Sequence, residues 1–297
     1  MSDPVDISPL RIAVIGPGGI GSTFAFQLAQ AGHDVTVVAR GTRRQQLHRD
    51  RAIVRTTGER AGVQVADQLD ISTEWDLVLV TVLTSDVEQL LPSLSACAAR
   101  RIMFMFNTFE PLDHLRSAVG AERARFGFPS IVAGIEDGRL ASNILSRGTT
   151  TVSDPGWAKV FSAAAIPSAA HPDMQSWLRT HAAFILPVLL TGAMAAQRGR
   201  GVDYADARRL ARAMREGLRL VRDLGDAITP RPIALFAHLP IPFVAALLWS
   251  ASRVEAFVAT CAVAPKDEPN ALIDEMNAVA QQPLPALTAI RPERTAR

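Results

Sequence analysis

Short apolar runs alternate with longer amphipathic stretches over the first hundred residues of the chain. The runs have the length and the β-branched or aromatic content of strands, and they span residues 10–15, 34–39, 53–56, 63–65, 76–81 and 101–106. The run DLVLVT at 76–81 is apolar without alternation, which is typical of a parallel strand buried on both faces. Helical stretches at 21–31, 42–50 and 87–98 separate several of these runs. The alternation predicts a Rossmann-type, doubly wound parallel sheet of the α/β class.

The pattern changes after residues 165–172, where Pro, Ser and Ala cluster. The periodic stretches that follow are longer and helical, without strand signals, and they span residues 174–197, 203–226, 241–261 and 271–280. We therefore predict a sheet domain over 1–168 and an all-helical domain over 169–297. A cleft between two such domains is the usual place for a small-molecule substrate.

Composition and charge exclude several classes of partner. The net charge of +2 over 297 residues gives no reason to expect nucleic acid. The apolar stretches at 182–196 and 241–251 are shorter than the ~20 residues that a membrane span needs. We expect no membrane association, and the apolar helices are compatible with a homodimer.

The residues that commonly bind metals are scattered along the chain. Cys97 and Cys261 form no CxxC pair, and the six histidines show no HExxH spacing. We therefore expect no metal site and two reduced, buried cysteines. The first ten residues contain acidic side chains and no apolar core, so we expect a cytoplasmic protein without a signal peptide.

The segment RIAVIGPGGIGSTFAFQLAQAGHDVTVVAR carries the most specific motif of the chain. Gly16, Gly18 and Gly21 form GxGxxG directly after a predicted strand and at the start of a predicted helix, as the motif requires. Gly16 permits the tight turn, Gly18 lets the backbone approach a pyrophosphate, and Gly21 lets helix and strand pack closely. Amide hydrogens and the helix dipole then face the anion. The segment predicts a dinucleotide site.

The end of the second predicted strand indicates which dinucleotide binds. Enzymes that use NAD usually carry Asp or Glu there to hold the ribose hydroxyls. This chain carries Arg40, followed by Arg43 and Arg44, with no carboxylate close by. Because a guanidinium pairs well with a 2′-phosphate, we expect NADP. The alternative is that these arginines form only a solvated helix start.

The chain resembles the ketopantoate reductase (2-dehydropantoate 2-reductase) family. The resemblance is carried by GPGGIG, by Arg40, by the LVLVTV strand, by Asn107 in FMFNTFE and by Trp177 in SWLRTHAAF. It implies reduction of a 2-oxo acid by NADPH in the ancestor. It also implies a helical second domain like the C-terminal domain of 6-phosphogluconate dehydrogenase.

The family's catalytic positions do not carry over. The family's Trp-x-Lys and two following asparagines match Arg179, Ala183 and Pro187 here, and its lysine after the VTV strand is missing. Arginine stabilises an anion but is a poor proton donor. We therefore expect a substrate other than ketopantoate. An apolar cleft of Ala183, Phe184, Pro187, Phe243 and Leu247 would favour a larger or more hydrophobic one.

Three side chains remain as candidates for the chemistry, each with a structural alternative. His181 lies four residues after Trp177 and has a pKa suited to proton donation, unless it is a packing histidine. Arg179 would hold a substrate anion, unless it forms an interdomain salt bridge. Glu255 matches a family glutamate and is catalytic, unless it only pairs with Arg253 or another arginine.

Asn107 ends a parallel strand at the edge where ligands of such sheets bind, so we expect it near the nicotinamide ribose. A plain turn residue is the alternative. The expected cofactor contacts are Gly16, Gly18, Gly19, Ile20, Gly21, Arg40, Arg43, Val82, Leu83 and Asn107.

These observations favour an NADP-dependent oxidoreductase that reduces a carbonyl or imine. The missing catalytic set leaves two alternatives open. One is a non-redox cyclase or isomerase on the same scaffold in a specialised pathway. The other is an NADP-sensing regulator, which would show no turnover.

Overall fold

The computed structural model describes residues 9–146, 148–263, 265 and 267–293. Within these residues the chain forms two compact units. The sheet unit comprises residues 9–106 and 112–174, and the helical unit comprises residues 107–111 and those from 175 onward. The loop 107–111 is thus grouped with the helical unit, although it directly follows a strand of the sheet unit.

The sheet unit is built around one eight-stranded sheet. The unit contains twelve described strands, eight of which form this sheet. They are β1 (Arg11–Ile15), β2 (Asp34–Val38), β3 (Ala52–Val54), β4 (Arg60–Gly62), β5 (Gln64–Ala66), β6 (Leu77–Val80), β7 (Ile102–Met105), β8 (Ala124–Phe128), β9 (Ile131–Glu136), β10 (Arg139–Ile144), β11 (Thr150–Val152) and β12 (Ser168–Ala170). Its helices are α1 (Gly19–Gln30), α2 (Gly41–Asp50), α3 (Leu91–Ala96), α4 (Asp113–Val119) and α5 (Pro155–Ala163).

The order of strands in the sheet is β12-β11-β8-β7-β6-β1-β2-β5. All neighbours run parallel except β11 and β8. The central strands β1, β6 and β7 are almost wholly buried, which explains their continuous apolar runs. The predicted Rossmann-type sheet is therefore confirmed, and the carboxyl ends of β1 and β6 lie at the same edge.

Two antiparallel ribbons, β3–β4 and the hairpin β9–β10, lie outside the main sheet. The hairpin shares the hydrophobic core with α1, since Ile131 and Leu140 pack in one cluster with Phe24 and Phe26. The sequence prediction left residues 107–172 without assigned elements, and the structure places β8 to β12, the hairpin, α4 and α5 there.

The helical unit contains the described helices α6 (Met174–Arg198), α7 (Tyr204–Asp223), α8 (Arg231–Phe236), α9 (Ile241–Ala251), α10 (Glu255–Ala262), α11 (Glu268–Val279) and α12 (Pro285–Thr288). One face of α7 is buried and carries small and apolar residues. A Cβ on Gly217 of α7 would lie 3.1 Å from the Cβ of Ala183, so α6 and α7 approach closely.

Two predicted helices are broken in the structure. The predicted helix over 241–261 is α9 and α10, which bend by 89° at 252–254. Ser252 lies at the break, where its hydroxyl donates to the carbonyl of Trp249 and accepts the amide of Val202. The stretch 87–98 also contains only a 3₁₀ turn followed by α3.

The helix α6 is long and apolar enough to cross a membrane by composition alone. In the structure 61% of its apolar window is buried inside the protein. The helix is a core element of the helical unit, which accounts for its hydropathy.

Candidate dinucleotide-binding site and catalytic residues

Gly16, in the loop after β1, and Gly21, in the first turn of α1, lie against the residues that follow β6. Gly16 has a φ of +85°, and a Cβ on it would lie 2.6 Å from Cγ1 of Val82. A Cβ on Gly21 would lie 2.4 Å from Oγ1 of Thr81. Because such distances are too short for real side chains, both positions need glycine. The geometry agrees with the turn and helix-packing roles predicted for Gly16 and Gly21.

Gly18 differs from these two glycines because the space beside it is open. Apart from its chain neighbours, no heavy atom of the described residues lies within 4 Å of a Cβ built on Gly18. Gly18 is also the N-cap of α1, and no side chain caps this helix. The first amide hydrogens of α1 and the positive end of its dipole are therefore available to an anion. An oxygen of a diphosphate group fits this end of the helix.

Gly19 and Ile20, also expected to contact the cofactor, face other parts of the sheet unit. A Cβ on Gly19 would lie 2.3 Å from the carbonyl oxygen of Ala133 in β9. The side chain of Ile20 packs against the hydrophobic core. Their backbone amides are thus the groups that a cofactor would contact.

Arg40 is exposed and lies between β2 and α2, at the N-cap of α2. This is the position that the sequence assigned to the 2′-phosphate of NADP. Arg44, in the same helix, forms an ion pair with Asp67 at 3.0 Å. Arg40 forms no ion pair with any described residue, so its guanidinium is available to a ligand.

Arg43 was expected to bind the cofactor, but its donors are engaged within the protein. Nε donates to the carbonyl of Pro17 at 3.0 Å, and Nη1 donates to the carbonyl of Gly138 at 2.8 Å. Nη2 donates to Oγ of Ser22 at 2.9 Å. Spacing along α2 cannot reveal these contacts, because Gly138 is distant in sequence. These bonds make Arg43 a contact between loop, helix and hairpin, and its direct binding of the cofactor stays a prediction.

The residues after β6 hold the glycine loop from the sheet side. The hydroxyl of Thr81 lies 2.9 Å from the carbonyl oxygen of Ile15 and 2.8 Å from that of Gly16, and its single hydrogen is shared between these two acceptors. Val82 contacts the position of Gly16, as noted above, and Leu83 is 43% exposed. The sequence analysis missed Thr81, although a lone polar residue ending an apolar strand was a usable signal.

The loop 107–111 is bound by two glutamates of α11. The side-chain amide of Asn107 donates to Oε1 of Glu268 at 3.0 Å. Oε2 of Glu275 accepts the hydroxyl of Thr108 at 3.0 Å and the amide of Phe109 at 2.6 Å. These bonds fix the backbone that follows β7.

Burial shifts the protonation of both glutamates. Burial raises the pKa of Glu268, and it raises the pKa of Glu275 to about 7 against the opposing effect of its hydrogen bonds. The nearby Glu110 adds to the rise of the Glu275 pKa. Sequence reasoning missed Glu275, which lies among Leu272, Ile273 and Met276 of the buried face of α11. A carboxylate on the apolar face of an amphipathic helix was the signal that could have found it.

Arg179, expected to hold a substrate anion, is 7% exposed and already paired. Its Nη1 donates to Oδ2 of Asp226 at 2.6 Å, and its Nε donates to the carbonyl of Phe109 at 3.0 Å. The guanidinium also lies over the ring of Phe109, 5.6 Å from its centroid. Arg179 therefore forms an ion pair with the half-buried Asp226 within the helical unit, which is the structural alternative considered for it, and its binding of a substrate anion stays a prediction.

His181 stacks on Trp177, with ring centroids 5.0 Å apart and an interplanar angle of 5°. Burial lowers the pKa of His181 to about 3. The ring is therefore neutral near pH 7, and His181 fits a hydrogen-bonding and packing role better than that of the predicted proton donor.

Glu255 lies in the first turn of α10 and is exposed. The arginine considered as its partner, Arg253, lies instead over Trp249 at 3.7 Å and donates to the carbonyl of Trp249 at 2.6 Å. A carboxylate in the first turn interacts favourably with the positive end of the helix dipole, and the geometry gives Glu255 this role. Its catalytic role stays a prediction.

The five residues of the predicted apolar cleft lie in different environments, some in the core and some exposed. Ala183 is fully buried against α7, and Pro187 is buried within α6. Phe184 packs on Phe236, with ring centroids 5.0 Å apart. Phe243 and Leu247 are 52% and 42% exposed. Ala183 and Pro187 are therefore core positions, and at Ala183 the close approach of Gly217 in α7 needs a small side chain.

A cavity of about 490 Å³ lies at the amino-terminal edge of the sheet, opposite the glycine loop. It is lined by Leu10, Asp76, Ala99, Arg100, Arg101, Arg123, Asp154 and Trp157. Ligands of parallel sheets bind at the other edge. Among the residues that the structure describes, no group of three or more His, Cys, Asp or Glu is placed to hold a metal ion.

Comparison with known families identifies the sheet unit. Residues 12–156 match the family model of ketopantoate reductase PanE/ApbA. This part of the chain, just under half of its length, is similar to that family. A comparison with curated proteins found no match.

Solved structures extend the likeness to the whole chain. A D-mandelate dehydrogenase with NADH and anilino(oxo)acetate has a TM-score of 0.72 at 15% identity and covers 95% of this chain and 96% of its own. A PanE/ApbA ketopantoate reductase from Ralstonia eutropha JMP134 has a TM-score of 0.72 at 19% identity with the same coverage. A dimeric ketopantoate reductase from Staphylococcus aureus has a TM-score of 0.66 at 13% identity and equal coverage. These likenesses show a common fold.

Substitutions of Gly18 and Gly19 form a matched pair, because a side chain on Gly18 would enter the space proposed for the ligand and one on Gly19 would meet the hairpin. Gly18→Ala should change the free energy of unfolding by less than about 1 kcal/mol, because its Cβ enters open space at an ordinary φ of −69°. Gly19→Ala should cost ~1–3 kcal/mol, because its Cβ must displace the hairpin. Denaturant unfolding without ligand measures both.

The effect on NADPH affinity should be the reverse of the effect on stability, since the substitution that leaves the fold intact should weaken binding. Gly18→Ala should weaken NADPH binding at least tenfold while leaving the fold intact. Equal destabilisation by both substitutions, or unchanged NADPH affinity in Gly18→Ala, would contradict the assignment of open space to the diphosphate.

Glu275 should impose a pH dependence on stability. Its pKa is raised from 4.5 to about 7, so the folded protein holds a proton that the unfolded chain has lost within this window. Stability should therefore fall as pH rises from about 4.5 to 7, by on the order of 2–3 kcal/mol. Glu275→Gln should remove this fall. If the free energy of unfolding changed equally with pH in both proteins, the prediction would be wrong, because the Glu275 carboxyl would then not hold its proton in this window.

Proposed function

We propose that the protein is an NADP-dependent oxidoreductase that reduces a carbonyl or imine of a small molecule other than ketopantoate. The observation that carries the proposal is the open, uncapped start of α1 beside Gly18, with the exposed Arg40 after β2. The similarity of residues 12–156 to the PanE/ApbA ketopantoate reductase family supports it.

The residues present fit a nicotinamide dinucleotide. Amide hydrogens of the first turn of α1 would hold the diphosphate, and Gly18 leaves room for its close approach. Arg40 would bind the 2′-phosphate, with a geometry that suits guanidinium and phosphate. When bound, the cofactor would supply the hydride.

The helical unit argues against ketopantoate as the substrate. The positions that match the family's lysine and asparagines are Arg179, Ala183 and Pro187, and here they form an ion pair or lie in the core. Ala183 and Pro187 have no side-chain hydrogen-bonding group for a hydroxy acid, and Nε and Nη1 of Arg179 are engaged with Phe109 and Asp226. A substrate held mainly by apolar contacts is the consequence, and Phe243 and Leu247 remain exposed enough to contribute.

The pKa of Glu275 suits proton transfer near neutral pH better than the pKa of His181 does. A group that delivers a proton near neutral pH works best with a pKa close to that pH. The pKa of Glu275 is about 7 and that of His181 about 3. We therefore propose Glu275, whose carboxylate accepts hydrogen bonds from Thr108 and Phe109, rather than His181 as the group whose protonation changes near neutral pH.

We also propose that the protein acts in the cytoplasm and as a homodimer. The Staphylococcus aureus ketopantoate reductase with the same fold is described as dimeric. Exposed apolar side chains of the helical unit, such as Leu235 and Val254, are compatible with a contact between copies.

Arg40→Glu tests the cofactor assignment. The substitution should weaken NADPH binding by tenfold or more, because it replaces a phosphate partner by a like charge, and should change NADH binding less than about threefold. Titration calorimetry of both dinucleotides measures the two constants. Arg49→Glu, an exposed change of equal charge in the same helix, is the control. Equal losses for NADPH and NADH would contradict the choice of NADP.

A further inference from the structure

Arg43 joins three separate segments of the sheet unit through its three nitrogens. They reach Pro17 in the glycine loop, Ser22 in α1 and Gly138 at the turn of the hairpin β9–β10. Oγ of Ser22 donates in turn to the same carbonyl of Pro17 at 2.8 Å. The carbonyl of Pro17 thus accepts two hydrogen bonds from one cluster.

The hairpin is itself held firmly, so it can anchor Arg43. The amide of Thr56 donates to the carbonyl of Leu140 at 3.0 Å, and Nη2 of Arg55 donates to the carbonyl of Ser142 at 3.3 Å. Leu140 is fully buried in the core. The contact of Ala133 with Gly19 fixes the other strand of the hairpin to the start of α1.

Holding the carbonyl of Pro17 also sets the direction of the next amide. The peptide group is planar, so the position of the Pro17 oxygen fixes the plane that contains the amide of Gly18. That amide donates to the carbonyl of Gly16 at 2.7 Å. The hydrogen bonds of Arg43 and Ser22 to Pro17 therefore determine the shape of the loop at Gly18, which faces open space.

The cluster leaves the open side of Gly18 clear while adding charge near it. The guanidinium of Arg43 stays positive, although burial lowers its pKa and Asp50 opposes this effect. A cation behind the loop attracts a diphosphate without contacting it. Each of the three guanidinium nitrogens of Arg43 donates one hydrogen bond, to Pro17, Gly138 or Ser22.

We propose that Arg43 is a positioning residue that latches the hairpin β9–β10 to the glycine loop, and that the choice between NADP and NAD is left to Arg40. The inference rests on the proposed dinucleotide function. It makes the hairpin part of the dinucleotide site, although no residue of the hairpin belongs to the glycine motif.

Dissociation constants of NADPH and NADH for four variants test the proposal. Arg43→Ala should weaken both dinucleotides by about the same factor, about tenfold, because it loosens the diphosphate loop that they share. Arg43→Lys and Ser22→Ala, which keep part of the cluster, should show smaller losses, again equal for the two. Arg49→Ala, in the same helix, should leave both constants within about twofold.

Two outcomes would overturn the latch. A loss in Arg43→Ala that is tenfold greater for NADPH than for NADH would mean that Arg43 contacts the 2′-phosphate. Unchanged constants for both dinucleotides would mean that the loop does not need the latch.

Hydrogen exchange of the protein without ligand gives a readout that does not depend on the cofactor. Arg43→Ala should speed exchange of the amides in residues 16–22 and 131–144 at least tenfold, while exchange in the helical unit stays as in the parent protein. Exchange at the parental rate in both segments would also overturn the latch. If the parent protein binds neither dinucleotide, the proposed function fails, whereas faster exchange in Arg43→Ala would still establish the latch.

Discussion

The first turn of α1 has amide hydrogens that no side chain caps, and this constraint organises the sheet unit around it. A helix start in this state needs an acceptor, and glycines keep the approach to it open. Gly16 and Gly21 are glycines because Val82 and Thr81 lie against them, whereas Gly18 is a glycine beside open space. The loop is thus tightly packed on one side and accessible on the other, as an anion site requires.

Much of this could be predicted from the sequence because its determinants are local. Apolar runs identify β1, β6 and β7, and the spacing of three glycines identifies the turn between a strand and a helix. The role of Arg43 could not be predicted, because its partner Gly138 lies 95 positions away and the hairpin that carries it has no distinctive pattern. Arg40 needed no tertiary partner, and the structure leaves it exposed.

The helical unit was harder to predict for the same reason. Arg179 and His181 were chosen for their chemistry, yet burial decides what each can do. Asp226 neutralises Arg179, and burial keeps His181 uncharged at neutral pH. Burial acts in the opposite sense on Glu275, whose carboxyl gains a pKa of about 7 while it holds the loop after β7. A family resemblance gave the positions but could not give these environments.

A crystal structure with bound NADPH is the most direct test of the central claim. The account predicts diphosphate oxygens within about 3 Å of the amides of the first turn of α1 beside Gly18, the usual range for such hydrogen bonds. It predicts the 2′-phosphate on the guanidinium of Arg40, with Arg43 still bound to Pro17 and Gly138. A dinucleotide bound elsewhere, or a glycine loop that remains empty at saturating NADPH, would contradict it.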